Sequence, residues 1–130
     1  MAARQRPLSP HLQVYKPQIT STLSIIHRAT GVVNAIGGLI VAAWLVVVAS
    51  SPECFAWSQQ IFAAWYGKLA LFAFSASLIY HLLNGIRHLL WDIGWGMEIE
   101  TVQKTGYLVI TLAILLTGLL WFIAMRGAAL

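Results

Sequence analysis

The sequence predicts an all-α integral membrane protein with three transmembrane helices, on two observations. Of its 130 residues, 59% are hydrophobic and only 9% are charged, whereas a soluble domain carries about 25% charged residues. A soluble chain this short has too small a core to hide so much apolar surface. The apolar residues also gather into three long runs, over 21–50, about 61–92 and 106–125. A helix needs about 20 residues to cross roughly 30 Å of hydrocarbon. The third run just suffices, and the polar ends of the two longer runs should project into the interface. The chain reads as one membrane domain over 1–130, with an extended arm over 1–20 and helices over about 21–50, 61–92 and 104–126.

The arm contains Pro7, Pro10 and Pro17, which block helix and push their predecessors toward extended backbone. Ser21 or Thr22 then caps the first helix. No apolar stretch precedes Ser24, so the N-terminus is not a secretory signal. It is too short and proline-rich for a mitochondrial transit peptide. The chain reads as complete and bacterial rather than as an organellar precursor. The single cysteine, Cys54, excludes an internal disulfide and a cysteine-based metal site, and reads as an incidental thiol.

Charge sets the orientation. The first connection, 51–60, has no Lys or Arg, whereas the arm has Arg4, Arg6 and Lys16, and the second connection has Lys104 with Arg87 and His88 just before it. Cytoplasmic flanks collect Lys and Arg. The N-terminus and second connection are therefore expected inside, and the C-terminus outside, with Arg126 the one dissenting charge. Trp57, Trp65, Trp91, Trp95 and Trp121 fall near expected interfaces, as aromatic belts do.

Seven residues bring a helix back to within about 20° of the same direction. His81 and His88 therefore share a face, roughly 10 Å apart, with Gly85 between them and Asp92 beyond. Arg87 points about 120° away from His81. In the first run Ser24, Arg28 and Gly31 stack on one face, with His27 beside them, Gly38 further along and Asn34 at the edge. Small residues such as these let helices approach closely. Ile25, Val32, Val33 and Ile36 form the opposite, lipid-suited side.

Each polar residue has a plainer reading. Arg28, Arg87, His88 and Lys68 could reach lipid phosphates. Ser24 could bond back to its own helix, and Asp92 could pair with a nearby cation. His81 is harder to dismiss. An imidazole at membrane depth is costly without a partner and marks a functional site by default. Neutral imidazole is a common metal ligand and a frequent axial ligand of haem iron. One such histidine is half of a bis-histidine site, so a second chain supplies the other ligand or the iron is five-coordinate. A proton relay through His81 and His88 is disfavoured, because no ionisable residue continues the path to the outer face. The third run has none before Arg126 and reads as closing the bundle.

At this point the residues resemble a family. "RPLSPHLQVYKPQITSTLSIIHRATGV" and "YHLLNGIRHLLWDIG" resemble the two signatures of the cytochrome b556 subunits of succinate dehydrogenase. The resemblance implies a membrane anchor of succinate:ubiquinone oxidoreductase, half of a heterodimeric haem-binding helix bundle. It implies that His81 is an axial ligand of haem b, and that Ser24 and Arg28 line the ubiquinone pocket. It places His27, Arg28 and, more weakly, His88 near the haem propionates, with Gly85 admitting the macrocycle. A second anchor subunit would supply the other haem ligand. Iron–sulfur and flavoprotein subunits would dock on the cytoplasmic side, the dicarboxylate site lying on another subunit. Asn84 is more polar than the motif leads one to expect; it would contact the haem edge or a neighbouring helix. No nucleic-acid partner is expected. The expected home is the bacterial inner membrane. A haem-free structural anchor and a quinol:fumarate reductase anchor are the alternatives.

Overall fold

The computed structural model describes residues 16–127. The expectations for Arg4, Arg6, Pro7 and Pro10 lie outside the described residues. Four helices follow one another: α1 Ile19–Ser50, α2 Pro52–Ala63, α3 Trp65–Asp92 and α4 Ile99–Gly127. At 32, 28 and 29 residues, α1, α3 and α4 are long and apolar enough to cross a membrane. α3 lies in the middle, packed against both α1 and α4. The start of α1, the end of α3 and the start of α4 share one end of the bundle, as the contacts of Tyr80 with Leu23 and of Arg87 with Val102 require.

The first helix begins at Ile19, two residues after Pro17, with Gln18 in extended backbone. The expected cap at Ser21 or Thr22 is not used. Thr22 already lies inside the helix, and its hydroxyl donates to the Gln18 carbonyl at 3.1 Å. Residues 51–60, expected as a bare connection, are helical for most of their length. Ser51 caps α2 by accepting from the Cys54 N–H at 3.2 Å, Pro52 stands in the first turn, and Glu53 follows. A capping hydroxyl, a proline with no N–H to lose and an early carboxylate are each suited to a helix start. α2 turns back against α3 so closely that a Cβ at Gly67 would lie 2.0 Å from the Ile61 carbonyl oxygen. The far end of α3 stops at a Schellman turn: Gly94, at φ 79°, donates to the Trp91 carbonyl, and Trp95 donates to that of Leu90.

Burial is inverted relative to a soluble domain. Leu23 and Val109 are the buried hydrophobics among the described residues, whereas Ser58, Ser77, Asn84, Arg87 and Thr117 are buried and polar. Lipid tails are as apolar as leucine, so apolar side chains have no reason to turn inward, and small or polar ones fill the seams. Ile25, Val32, Val33 and Ile36 are exposed as expected. The close approach of α1 to α3 falls at Gly37, where a Cβ would lie 2.1 Å from the Phe74 ring. Gly38, expected on that line, faces open space. Two of the five tryptophans expected in the belts turn inward. Trp91 donates to the Gly96 carbonyl at 3.3 Å, and Trp121 donates to the Ser75 hydroxyl at 2.9 Å. Trp57, Trp65 and Trp95 are exposed.

Candidate functional site

The α1–α3 seam gathers three imidazoles near the shared end. His27 stacks on His81 with ring centroids 3.9 Å apart and planes 9° from parallel. His88 meets the other side of the group, 5.0 Å from His27 and tilted by 44°. Trp91 closes the row, its ring 5.1 Å from His88 and nearly perpendicular to it. The helical spacing of the sequence thus brings His27, His81 and His88 together.

His81 is held from α1. Its Nδ1 lies 3.1 Å from the His27 carbonyl oxygen and 3.1 Å from the Thr30 hydroxyl. Its Nε2 makes no hydrogen bond among the described residues. Gly31 makes room for the ring, since a Cβ there would lie 3.2 Å from His81 Cε1. Gly85 lies beside His27 instead, where a Cβ would meet His27 Cε1 at an ordinary 3.7 Å. His27 Nδ1 is buried with no hydrogen-bond partner among the described residues. A buried polar atom left unpaired is costly and calls for an explanation. The rings stack rather than converge, and no bare-metal cluster of His, Cys, Asp or Glu forms among the described residues.

One turn toward the helix start, Ser24 is half-buried and Arg28 exposed. The Arg28 guanidinium reaches back to the Ser24 carbonyl, with Nε at 3.4 Å. The Ser24 hydroxyl, unlike those of Thr22 and Thr30, bonds to no carbonyl of its own helix among the described residues. It remains available to a ligand.

Arg87 corrects the reading that it reaches lipid phosphates. It is 4% exposed and lies on the opposite side of α3, against α4. Its Nε donates to the Thr105 hydroxyl at 3.1 Å, Nη2 to the Val102 carbonyl at 2.8 Å and Nη1 to Asn84 Oδ1 at 3.4 Å. Its guanidinium carbon sits 4.1 Å over the Trp91 ring, a cation–π contact. Asn84, wholly buried, accepts from Arg87 of its own helix and, among the described residues, is linked to α4 only through it. Asp92 is exposed at the end of α3 and forms no ion pair among the described residues.

Thr30 and Trp91 are the members of the site that the sequence reading missed. Thr30 follows His27 by three residues, which places it on nearly the same face, and that spacing was a usable signal. Trp91 follows Arg87 by four residues and His88 by three, spacings that make it a neighbour of both, so it too had a usable signal.

Fold and site together define a multi-pass helical membrane subunit with a polar, histidine-lined seam near one membrane face. The succinate dehydrogenase/fumarate reductase transmembrane subunit model matches residues 2–120. The chain is 49% identical over 117 residues to the succinate dehydrogenase cytochrome b556 subunit of Rickettsia prowazekii, covering 90% of this chain and 91% of the relative. It is 40% identical over 114 residues to the subunit of that name from Paracoccus denitrificans, covering 88% of each. A cytochrome b560 subunit from Reclinomonas americana is 42% identical over 128 residues, covering 91% of this chain and 85% of the relative. The chain belongs to the succinate dehydrogenase/fumarate reductase transmembrane subunit family.

Proposed function

We propose that this chain is a cytochrome b membrane anchor of succinate:ubiquinone oxidoreductase in a bacterial inner membrane. In this reading it passes electrons from an iron–sulfur subunit to ubiquinone. The observation that carries the reading is the state of the imidazoles. His81 has one ring nitrogen tied to α1 and the other unpaired among the described residues, and His27 Nδ1 is orphaned in the same seam. Such a donor set fits a haem b. His81 would ligate its iron through Nε2, and His27, Arg28 and His88 would meet the propionates, Gly85 leaving room beside His27. Bound there, the haem supplies a one-electron relay site.

A partner anchor subunit would provide the second axial ligand, because the described part of this chain offers one suitably held imidazole. The iron–sulfur and flavoprotein subunits would cover the end where α1 starts, with the dicarboxylate site on another subunit than this one. That end is cytoplasmic by the Lys and Arg distribution, and the C-terminus periplasmic. Ser24 and Arg28 would bind the quinone head group. A hydroxyl proton and a fixed cation orient its carbonyl oxygens and stabilise the negative charge they gain on reduction. The site lies near the bilayer edge, where protons arrive from water and the isoprenoid tail stays in lipid.

The test is the purified whole complex. A b-type spectrum, reducible by succinate, together with quinone reductase activity is the expected result. A complex that lacks haem yet reduces quinone at the full rate would make the chain a structural anchor instead.

A further inference from the structure

The Thr30 hydroxyl oxygen lies 2.9 Å from the Ile26 carbonyl oxygen, 2.9 Å from that of His27 and 3.1 Å from His81 Nδ1. A hydroxyl has one proton to give and two lone pairs to accept with. Both carbonyls only accept. His81 Nδ1 also faces the His27 carbonyl at 3.1 Å, so a bare lone pair on Nδ1 would meet a carbonyl lone pair there. The arrangement in which every close contact is attractive puts a hydrogen on Nδ1. That hydrogen is shared between the His27 carbonyl and Thr30, while the Thr30 proton points back to its own helix. The lone pair of His81 then sits on Nε2.

We infer that Thr30 is a positioning residue for His81, fixing its tautomer and ring plane and making Nε2 the more electron-rich donor. This rests on the reading of His81 as a haem ligand. A ligating histidine commonly gives its other N–H to an acceptor that raises its basicity; here the acceptors are the His27 carbonyl and the Thr30 hydroxyl, both on the facing helix. The turn that carries Thr30 is itself braced. Ser77, one turn from His81 on α3, donates to Asn34 Oδ1 at 2.8 Å and lies 3.4 Å from the Thr30 carbonyl. His27, Thr30 and Gly31 thus form one seat, supplying a carbonyl, a hydroxyl and a gap.

The experiment compares Thr30→Val, Thr30→Ala and Thr30→Ser in the intact complex, with His81→Ala and Thr22→Val as controls. Haem content, midpoint potential and the low-temperature paramagnetic spectrum of the oxidised haem are read. Losing one of its two acceptors makes His81 a poorer donor to oxidised iron. Thr30→Val and Thr30→Ala should therefore raise the midpoint potential and shift the paramagnetic spectrum, or lose haem outright. Thr30→Ser should restore both. Thr22→Val removes a similar hydroxyl from α1 and should change neither. If Thr30→Val and Thr30→Ala keep the wild-type potential and spectrum, or if Thr30→Ser fails along with them, Thr30 does not act through its hydroxyl. His81→Ala separates the two readings. If it leaves the spectrum intact, the ligand assignment fails and the Thr30 inference with it. If His81→Ala loses the spectrum while the Thr30 variants stay wild type, only the Thr30 inference fails.

Discussion

α3 carries polar side chains on two sides at the same end of the bundle, and the two sides are built differently. Toward α4, Arg87 is closed in. Its three nitrogens reach Thr105, Val102 and Asn84, and Trp91 covers its face. Among the described residues Asn84 Nδ2 is the buried side-chain atom left over there. Toward α1, the polar groups stay open: His27 Nδ1 has no partner, and neither the His81 Nε2 nor the Ser24 hydroxyl is engaged among the described residues. An ionisable residue at membrane depth is a functional candidate by default, yet here the buried cation is a pin between helices. What distinguishes a site from a pin is the number of polar atoms the protein leaves for something else.

If that contrast holds, damage to the pin and damage to the site should look different. Arg87→Met should have the largest effect on assembly. It strands the buried Asn84 Oδ1 and takes a donor from Thr105 and Val102, which keep only their own contact at 3.2 Å; a buried polar group left unmade costs about 1–3 kcal/mol. Quinone and dye activities should fall together with the amount of complex recovered from membranes. A variant that assembles normally but loses only quinone activity would move Arg87 into the site.

Arg28→Leu and Ser24→Ala should do the reverse, keeping assembly and dye reduction while lowering the ratio of quinone to dye activity. Removing a hydrogen-bond donor of this kind costs about 2.7–4 kcal/mol, roughly a factor of 10² to 10³. Ser24→Ala should sit at or below the lower end, because water can replace a hydroxyl in a partly wet site, and Arg28→Leu above it. Unchanged ratios in both variants would mark these residues as packing or lipid-facing groups.

Gly37→Ala tests the seam without touching either polar region. Its new methyl would fall 2.1 Å from Phe74, so the helices must part or the ring must move, at about 1–3 kcal/mol. Thermal stability of the complex should drop, with a smaller change at Gly38→Ala, where the space is open. The smallest effect is expected at Glu53. Its own backbone N–H, and then the Ser51 hydroxyl, hold its carboxyl below the usual carboxylate range. A depressed carboxylate stabilises above its unfolded-state pKa, and that contribution is lost as pH falls through the folded value. Protection from hydrogen exchange in the first turn of α2, corrected for the intrinsic rate at each pH, should therefore fall in acid, and Glu53→Gln should flatten that dependence.

The spans and the histidine face were legible because hydropathy and the helical repeat are local properties. The 100° arithmetic also placed Arg87 away from His81, but it is silent about the other side. Thr105 and Val102 belong to another helix, and no pattern within α3 names them. The choice between Gly37 and Gly38 is a one-residue phase, decided by the position of Phe74 across the seam. α2 did announce itself through Ser51, Pro52 and Glu53. A stretch of 12 residues, too short to cross a membrane, nevertheless reads as a connection when span length is the main guide. The tryptophans show the same limit: Trp91 and Trp121 stand where a belt is expected, but each finds a partner inside the bundle.

The central claim is that His81 holds haem iron, and the direct measurement is the spectrum of complex purified with His81→Ala. Reduced-minus-oxidised absorption and the paramagnetic signal of the oxidised form should be recorded at matched protein content, with insertion of the chain checked separately. The account predicts that the chain still inserts and that the low-spin bis-histidine signal is lost or replaced by that of a differently ligated haem. An unchanged bis-histidine signal at full haem occupancy would contradict it.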